Sequence, residues 1–121
     1  MNKLTIDDML KIQKKFSDSF FKNEELTTQQ KTELTKTFCL SLHSEVSQLI
    51  NAVDYKQHMS TNAKPDIERV LFESIDCVRY VLALLNLWDL TSEDFISAFK
   101  KKDNFLQEYL KIHLWKKWLQ C

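Results

Sequence analysis

The chain has 121 residues, enough for one domain with a hydrophobic core, and its 44% hydrophobic and 28% charged residues are ordinary for a globular protein. Its 17 basic residues balance 17 acidic ones, so the net charge gives no case for binding nucleic acid or an anionic membrane. No apolar run approaches the roughly 20 residues of a membrane span, and the first residues lack the apolar segment of a signal peptide. We expect a cytoplasmic protein with a single domain over residues 1–121.

Glycine is absent from the chain, and the single proline is Pro65. Phosphate-cradling loops, dinucleotide-binding turns and nucleophile elbows need glycine for a positive φ or a close backbone approach, so none is expected in its usual form. Tight β-hairpins are disfavoured for the same reason. The 3 widely spaced cysteines indicate free thiols in a reducing compartment. These features predict an all-α bundle of long helices joined by short polar loops.

The spacing of apolar residues predicts four helices in chain order. The first covers about residues 5–22, and the second runs from about 28 to 57. The third spans about 66–87, after the polar segment MSTNAKP, and the fourth runs from 91 or 92 to about 118. Capping side chains support the predicted starts of the first two helices. The expected pairs are Thr5 with Asp8, and Thr27 with Gln30.

A carboxylate lies on the apolar face of the second predicted helix. Glu45 shares that face with Leu49, and an ionised carboxylate there is costly unless something pairs with it. On the third helix, Glu73 and Asp76 interrupt an apolar segment and lie one turn apart. If the two helices pack antiparallel, these carboxylates and the amide of Gln48 face each other across the bundle. Such oxygen ligands suit a hard divalent cation such as Mg²⁺.

Two alternatives to a magnesium site stay open at this stage. Acidic residues are common on helices, and Glu73 and Asp76 are also placed to flank the apolar stripe and pair with an arginine of the same helix, Arg69 or Arg79. A zinc site is the other alternative, although its spacing is not standard and buried thiols are a commoner fate. Its ligands would be Cys39, His43 and Cys77.

The C-terminal segment LKIHLWKKWLQC places apolar side chains on one side of a helix, with lysines between them. This pattern fits a helix that lies on a membrane surface. More often such a stripe belongs to a core or to an oligomer interface, where tryptophan is enriched. We therefore expect no membrane partner.

The order of these features resembles the all-α nucleoside triphosphate pyrophosphohydrolases, the MazG-like and dimeric dUTPase-like superfamily, and most of all the dimeric dUTPases of phages and bacteria. Their first motif reads approximately ExxEL, followed by an aromatic-Lys-x-Trp element; this chain has EVSQLIN at 45–51 and YKQH at 55–58. Their second motif reads ExxD, then xxHisPhe and an apolar run; this chain has ESID at 73–76, CVRY and VLALL. Lys and Asn residues early in their last helix align loosely with FKKKDNFLQ at 99–107, where Lys101 and Asn104 are the preferred matches and Lys102 and Asp103 are the alternatives. This is an analogy at the level of the fold.

The chain also departs from the family pattern. Gln48 stands in place of the second glutamate of the first motif, which keeps a carbonyl oxygen but removes one negative charge. His58 replaces the tryptophan, and Arg79 and Tyr80 replace the His-Phe pair. A second interpretation therefore stays open, in which the protein is a catalytically weak or inactive helical bundle that acts through protein–protein contacts.

The resemblance implies a homodimer that hydrolyses a nucleoside triphosphate, such as dUTP or a related pyrimidine nucleotide, to the monophosphate and pyrophosphate. It implies Mg²⁺, or Mn²⁺ in its place, and a proton acceptor that is either Glu45 or Glu73. The implied metal ligands are Glu45, Gln48, Glu73 and Asp76. The implied contacts to the phosphates or sugar are Lys56, Lys101 and Asn104, and those to the base are His58 and Tyr80.

Overall fold

The computed structural model describes residues 3–20, 25–54 and 65–119 of the chain. Throughout these residues the regular structure is α-helical, with four helices and no strand. The prediction of an all-α fold with four long helices is confirmed. The helices are α1 (Ile6–Asp18), α2 (Thr28–Asp54), α3 (Ile67–Leu87) and α4 (Ser92–Leu119).

The chain divides into two compact units, Met1–Asp89 and Leu90–Cys121. In the first unit, α3 packs against both α2 and α1. The second unit contains α4. That the chain forms one domain stays a prediction.

The helices α2 and α3 run antiparallel. Near one end of the pair, the N–H group of Asp66 donates to the carbonyl of Ala52 at 3.2 Å. Near the other end, the indole Nε1 of Trp88 donates to the hydroxyl of Thr35 at 2.8 Å. Because the residue numbers fall along α2 as they rise along α3, the two helices have opposite directions. This is the arrangement that the interpretation of Glu45 required.

Reciprocal capping pairs begin three of the helices. In each pair the threonine hydroxyl accepts a hydrogen bond from a backbone N–H group of the first turn, and the partner's side chain accepts one from the threonine N–H group. These bonds satisfy donors that have no partner inside the helix. The two pairs predicted from the sequence are confirmed. The pairs are Thr5 with Asp8, Thr27 with Gln30, and Thr91 with Asp94.

The first helix ends earlier than the spacing predicts. It stops at Asp18, where the sequence predicts an end near residue 22. The hydroxyl of Ser19 donates to the carbonyl of Phe16 at 2.6 Å, and the N–H group of Ser19 bonds to the same carbonyl at 3.2 Å. This tighter turn replaces the bond that would continue the α-helix. The predicted end of the second helix, near residue 57, lies outside the described residues.

Polar contacts attach α1 to α3. Nε of Arg79 donates to Oε1 of the buried Gln13 at 2.7 Å, and Nδ2 of Asn86 donates to the backbone carbonyl of Leu10 at 2.9 Å. The Arg79 guanidinium also lies 5.0 Å from the ring centre of Phe16, within the range of a cation–π contact. Arg79 therefore holds α1. In the described part of the chain it makes no ion pair with the carboxylates of α3, which was one alternative from the sequence.

The apolar side chains of α4 are exposed from Ile96 onward. Every residue from Ile96 to Leu119 belongs to the exposed class, and Trp115 and Trp118 keep 67% and 79% of their surface accessible. None of the helices, over the residues described, combines the length and apolar composition needed to cross a membrane. The interpretation of the tryptophan-rich stripe as part of a core or an oligomer interface, and the expectation of no membrane partner, stay predictions.

Asp89, two residues beyond the end of α3, adopts a left-handed backbone conformation. Its φ is 54°, in a region where a Cβ atom is unfavourable but which aspartate tolerates better than most residues. Glycine commonly occupies this place after a helix, and this chain has none. The Asp89 carboxylate also lies 3.1 Å from Nζ of Lys31 at the start of α2. The Asp89 side chain is 82% exposed, so this ion pair stabilises only weakly.

We predict that Asp89→Gly raises the free energy of unfolding and that Asp89→Ala lowers it. Glycine adopts a positive φ without strain, whereas alanine keeps the Cβ atom and loses the polar side chain, so the two variants should differ by about 1 kcal/mol. Urea unfolding followed by circular dichroism measures the difference. As a control, Asp89→Asn removes the ion pair but keeps a side chain that tolerates a positive φ, and it should cost about 0.5 kcal/mol or less. A glycine variant less stable than the alanine variant would contradict the assignment.

Candidate metal centre

Three carboxylates converge where α2 packs against α3. Glu45 comes from α2, and Glu73 and Asp76 come from α3. One oxygen of each lies within 4.8 Å of the others. The one-turn spacing of Glu73 and Asp76 aims both toward α2, and the antiparallel packing brings Glu45 to meet them. The structure thus brings together the three carboxylates that the sequence predicts to be neighbours.

The cluster places negative charge in a partly buried position. Glu45 and Glu73 are half-buried and Asp76 is exposed. Burial raises the pKa of Glu45 above its ordinary value, and the neighbouring carboxylates of Asp76 and Glu73 raise it further. Burial also raises the pKa of the Cys77 thiol, with a contribution from the same carboxylates. A cation bound among these oxygens would offset the repulsion between them, which adds to the effect of burial on both pKa values.

The side chain of Gln48 is engaged by an arginine. Its Oε1 accepts a hydrogen bond from Nη2 of Arg69 at 3.0 Å. Nε of Arg69 lies 3.7 Å from Oε1 of Glu73, an ion pair one turn apart on α3. The ion pair expected as an alternative to a metal is therefore present. The role of Gln48 as an auxiliary metal ligand stays a prediction, and the oxygen it would use is bonded to Arg69 in this structure.

Sequence reasoning missed the bond between Gln48 and Arg69. The spacing of Arg69 and Glu73, four residues apart on one helix, is a signal for their ion pair. The partner of Gln48 depends instead on how α2 and α3 are aligned along their length. The sequence pattern within either helix does not specify that alignment.

The other residues implied by the family resemblance either belong to different helices or lie outside the described residues. Tyr80 is half-buried on α3, and its ring centre lies 6.4 Å from that of Phe38 on α2. Lys101 and Asn104 are exposed on α4, in the second unit. The roles of all these residues in binding a substrate stay predictions. Two more of the implied residues lie outside the described residues: Lys56 and His58.

The alternative zinc site is not formed. Over the described residues, the carboxylate cluster is the one group of three or more His, Cys, Asp or Glu side chains close enough to share an ion. Cys39 and Cys77 are free thiols, the first exposed and the second half-buried. With His43 they do not make up a set of metal ligands.

No protein-family model matches the chain, and comparisons with curated proteins and with solved structures find no significant match. The resemblance to the all-α pyrophosphohydrolases therefore rests on the order and spacing of the motifs. The meeting of Glu45, Glu73 and Asp76 is an observation separate from that resemblance.

We predict that Glu45→Gln stabilises the metal-free protein at neutral pH. Because the pKa of Glu45 is raised in the folded state, the stability linked to this group is fully present below its ordinary pKa of 4.5 and is lost as the pH rises through the raised value. The charged groups that face it from α3 are Glu73 and Asp76, with Arg69 beside Glu73. Glutamine does not ionise, so the Glu45→Gln variant does not lose this stability as the pH rises.

Urea unfolding in a chelator, at several pH values upward from 4.5, tests this prediction. The stability of the wild type, relative to Glu45→Gln, should fall as the pH rises. Glu68→Gln is the matched control, because Glu68 is an exposed carboxylate in the first turn of α3. A difference between the wild type and Glu45→Gln that does not change with pH would show that Glu45 ionises as freely as an exposed glutamate.

Proposed function

We propose that the chain is a metal-dependent nucleoside triphosphate pyrophosphohydrolase of the cytoplasm. It would hydrolyse dUTP or a related pyrimidine nucleotide to the monophosphate and pyrophosphate. The observation that supports this proposal is the convergence of Glu45, Glu73 and Asp76 from two antiparallel helices. The order of the motifs, which resembles that of the all-α pyrophosphohydrolases, supports the choice of reaction.

The donor set fits Mg²⁺ or Mn²⁺. Carboxylate oxygens are the ligands that these hard cations prefer, and Mg²⁺ is commonly held by one or two carboxylates, several waters and substrate phosphates. Two of the three carboxylates are half-buried, so a cation would also relieve their mutual repulsion. When bound, such an ion polarises phosphate oxygens and lowers the pKa of a bound water.

The three carboxylates are suited to different roles, as metal ligands or as a proton acceptor. Glu73 and Asp76 are fixed one turn apart on the same helix, which makes them a pair of ligands on one side of the site. Glu45 faces this pair from the other helix, which places it to contact a water held by the ion. We therefore assign to Glu45 the acceptance of the proton from the water that attacks the phosphorus. Phosphate, sugar and base contacts would come from Lys56, His58, Tyr80, Lys101 and Asn104.

Metal binding gives a direct test of the proposal. Mg²⁺ or Mn²⁺ should raise the melting temperature of the wild type, because a ligand at a hundredfold excess over its Kd stabilises the native state by about 2.7 kcal/mol. Glu73→Gln should lose most of this gain and Glu68→Gln should keep it. In a pyrophosphate-release screen of the common NTPs and dNTPs, the wild type and Glu68→Gln should be active and Glu73→Gln should be at background. An equal thermal gain in all three proteins would place the ion elsewhere.

A second candidate function is that of a catalytically weak or inactive bundle that acts through protein–protein contacts. The bond between Gln48 and Arg69 favours it, because the oxygen that replaces a motif glutamate is already engaged. The same screen separates the two candidates. Stabilisation by Mg²⁺ or Mn²⁺ without pyrophosphate release from any nucleotide would favour the second.

We further propose that a second copy of the chain covers an apolar face of α2 and α3. Apolar side chains recur at helical spacing on both helices, yet 40–70% of the surface of each is exposed. Gln48 and Arg69 meet on one flank of the contact between the helices, and helical spacing places these apolar residues on the other flank. They are Val46, Ile50 and Val53 on α2, and Ile67, Leu71 and Val78 on α3.

Burial of this apolar surface would supply free energy of the size that dimerisation requires. Complete burial of one aliphatic side chain stabilises by about 1.5–3 kcal/mol. Burying the exposed part of these side chains on two copies therefore contributes about 10–20 kcal/mol. The entropy lost on association opposes this with about 4–15 kcal/mol. A homodimer is thus the occupant that the size and chemistry of the face support.

We predict that Leu71→Glu converts a dimer to a monomer of 14.4 kDa, because it places a charge within the apolar face. Phe72→Glu is the matched control: Phe72 is the next residue and is 73% exposed, but it points about 100° away around the helix. Light scattering after size-exclusion chromatography measures the mass. A wild type that is monomeric at micromolar concentration, or a Leu71→Glu variant that stays dimeric, would contradict the proposal.

A further inference from the structure

Arg69 is a cation at the edge of the carboxylate cluster. Its side chain is 36% exposed. Nη2 donates to Oε1 of Gln48 at 3.0 Å, and Nε lies 3.7 Å from Oε1 of Glu73. A guanidinium carries five N–H donors, so most of its hydrogen-bonding capacity is not used by these two contacts.

The partners of Arg69 position it without neutralising it. Gln48 is uncharged, so its bond orients the guanidinium and leaves the positive charge in place. The contact with Glu73 is long, since a charge-assisted hydrogen bond between such groups is about 2.7–2.9 Å. A metal ion bound to Glu73 would weaken that ion pair further. The positive charge of Arg69 is therefore available to a third partner.

The chemistry of the loaded site indicates the third partner. The charge of three carboxylates exceeds that of one divalent ion, so the cluster with its ion would remain negative and repel a triphosphate. A positive side chain beside the ion offsets this repulsion. The guanidinium fork also matches two oxygens of a phosphate group. Phosphates that complete the coordination of the ion would lie near Arg69, because Arg69 contacts one of the ligands.

We infer that Arg69 binds the phosphate chain of the nucleotide beside the metal ion, and that Gln48 is the residue that holds Arg69 there. This inference rests on the proposed function, and it gives Gln48 a positioning role in place of a ligand role. An amide at position 48 suits this role, because a glutamate there would form an ion pair with Arg69 and compete with the phosphate. A purely structural role, in which Arg69 only ties α2 to α3, predicts different behaviour.

The experiment compares the wild type with Arg69→Gln and Arg69→Lys. Lys36→Gln is the charge-matched control, since Lys36 is exposed on α2 and pairs with Glu33. Mn²⁺ binding alone is measured from the electron paramagnetic resonance signal of the free ion. Tripolyphosphate binding is then measured by calorimetry in excess Mn²⁺. Circular dichroism and thermal melting establish that each variant is folded.

The expected changes have opposite directions. Arg69→Gln should bind Mn²⁺ alone as tightly as the wild type or more tightly, because a competing positive charge is gone. Its affinity for tripolyphosphate should fall by about tenfold to a hundredfold, the range for a lost hydrogen bond to a charged group. Arg69→Lys should fall less, since lysine keeps the charge and loses the fork. Lys36→Gln should match the wild type in both measurements.

Three other results would overturn the inference or the proposed function. Unchanged tripolyphosphate affinity in a folded Arg69→Gln would overturn the inference and leave the metal site standing. A loss of both affinities together, in Arg69→Gln and Arg69→Lys alike, would reduce Arg69 to a structural link between the helices. A wild type that binds no Mn²⁺ would overturn the proposed function, and the inference with it.

Discussion

The antiparallel packing of α2 against α3 is the constraint on which the candidate site depends. Glu45 lies on one helix and its two acidic neighbours lie on the other, so the cluster exists only while this contact holds. The contact also places Arg69 beside Gln48. One packing interaction therefore sets both the negative charge of the cluster and the positive charge at its edge.

This packing leaves little room for a large apolar core. Among the described residues the buried side chains are few, and none of them is larger than leucine. Small residues such as Ala52 and Ala83 let helices approach closely, and polar bonds from Arg79 and Asn86 hold α1 in place. With so much apolar surface left outside, a helix pair of this kind gains stability from any partner that covers it. Partly buried carboxylates are tolerated best where a cation is near.

The absence of glycine shapes the ends of the helices as much as their interiors. Without glycine, the chain relies on side-chain caps at helix starts and on Asp89 where a left-handed residue is needed after α3. Aspartate serves both purposes because its short carboxylate bonds to nearby backbone groups and lowers the penalty of a positive φ. The same composition favours long helices, and the three carboxylates of the candidate site project from two of them.

The sequence by itself determined the helical class, the capping pairs and the candidate carboxylates. Each of these follows from residues close along the chain: apolar spacing, a threonine three residues before its partner, and Glu73 three residues before Asp76. The end of α1 escaped prediction because Ser19 competes for the carbonyl of Phe16 through a local bond that spacing does not reveal. Only the tertiary structure decided that Glu45 meets Asp76, that Gln48 bonds to Arg69, and that Arg79 turns to α1. Those pairings depend on the alignment of one helix along another, which is set by the packing of many side chains together and is not encoded in any short pattern.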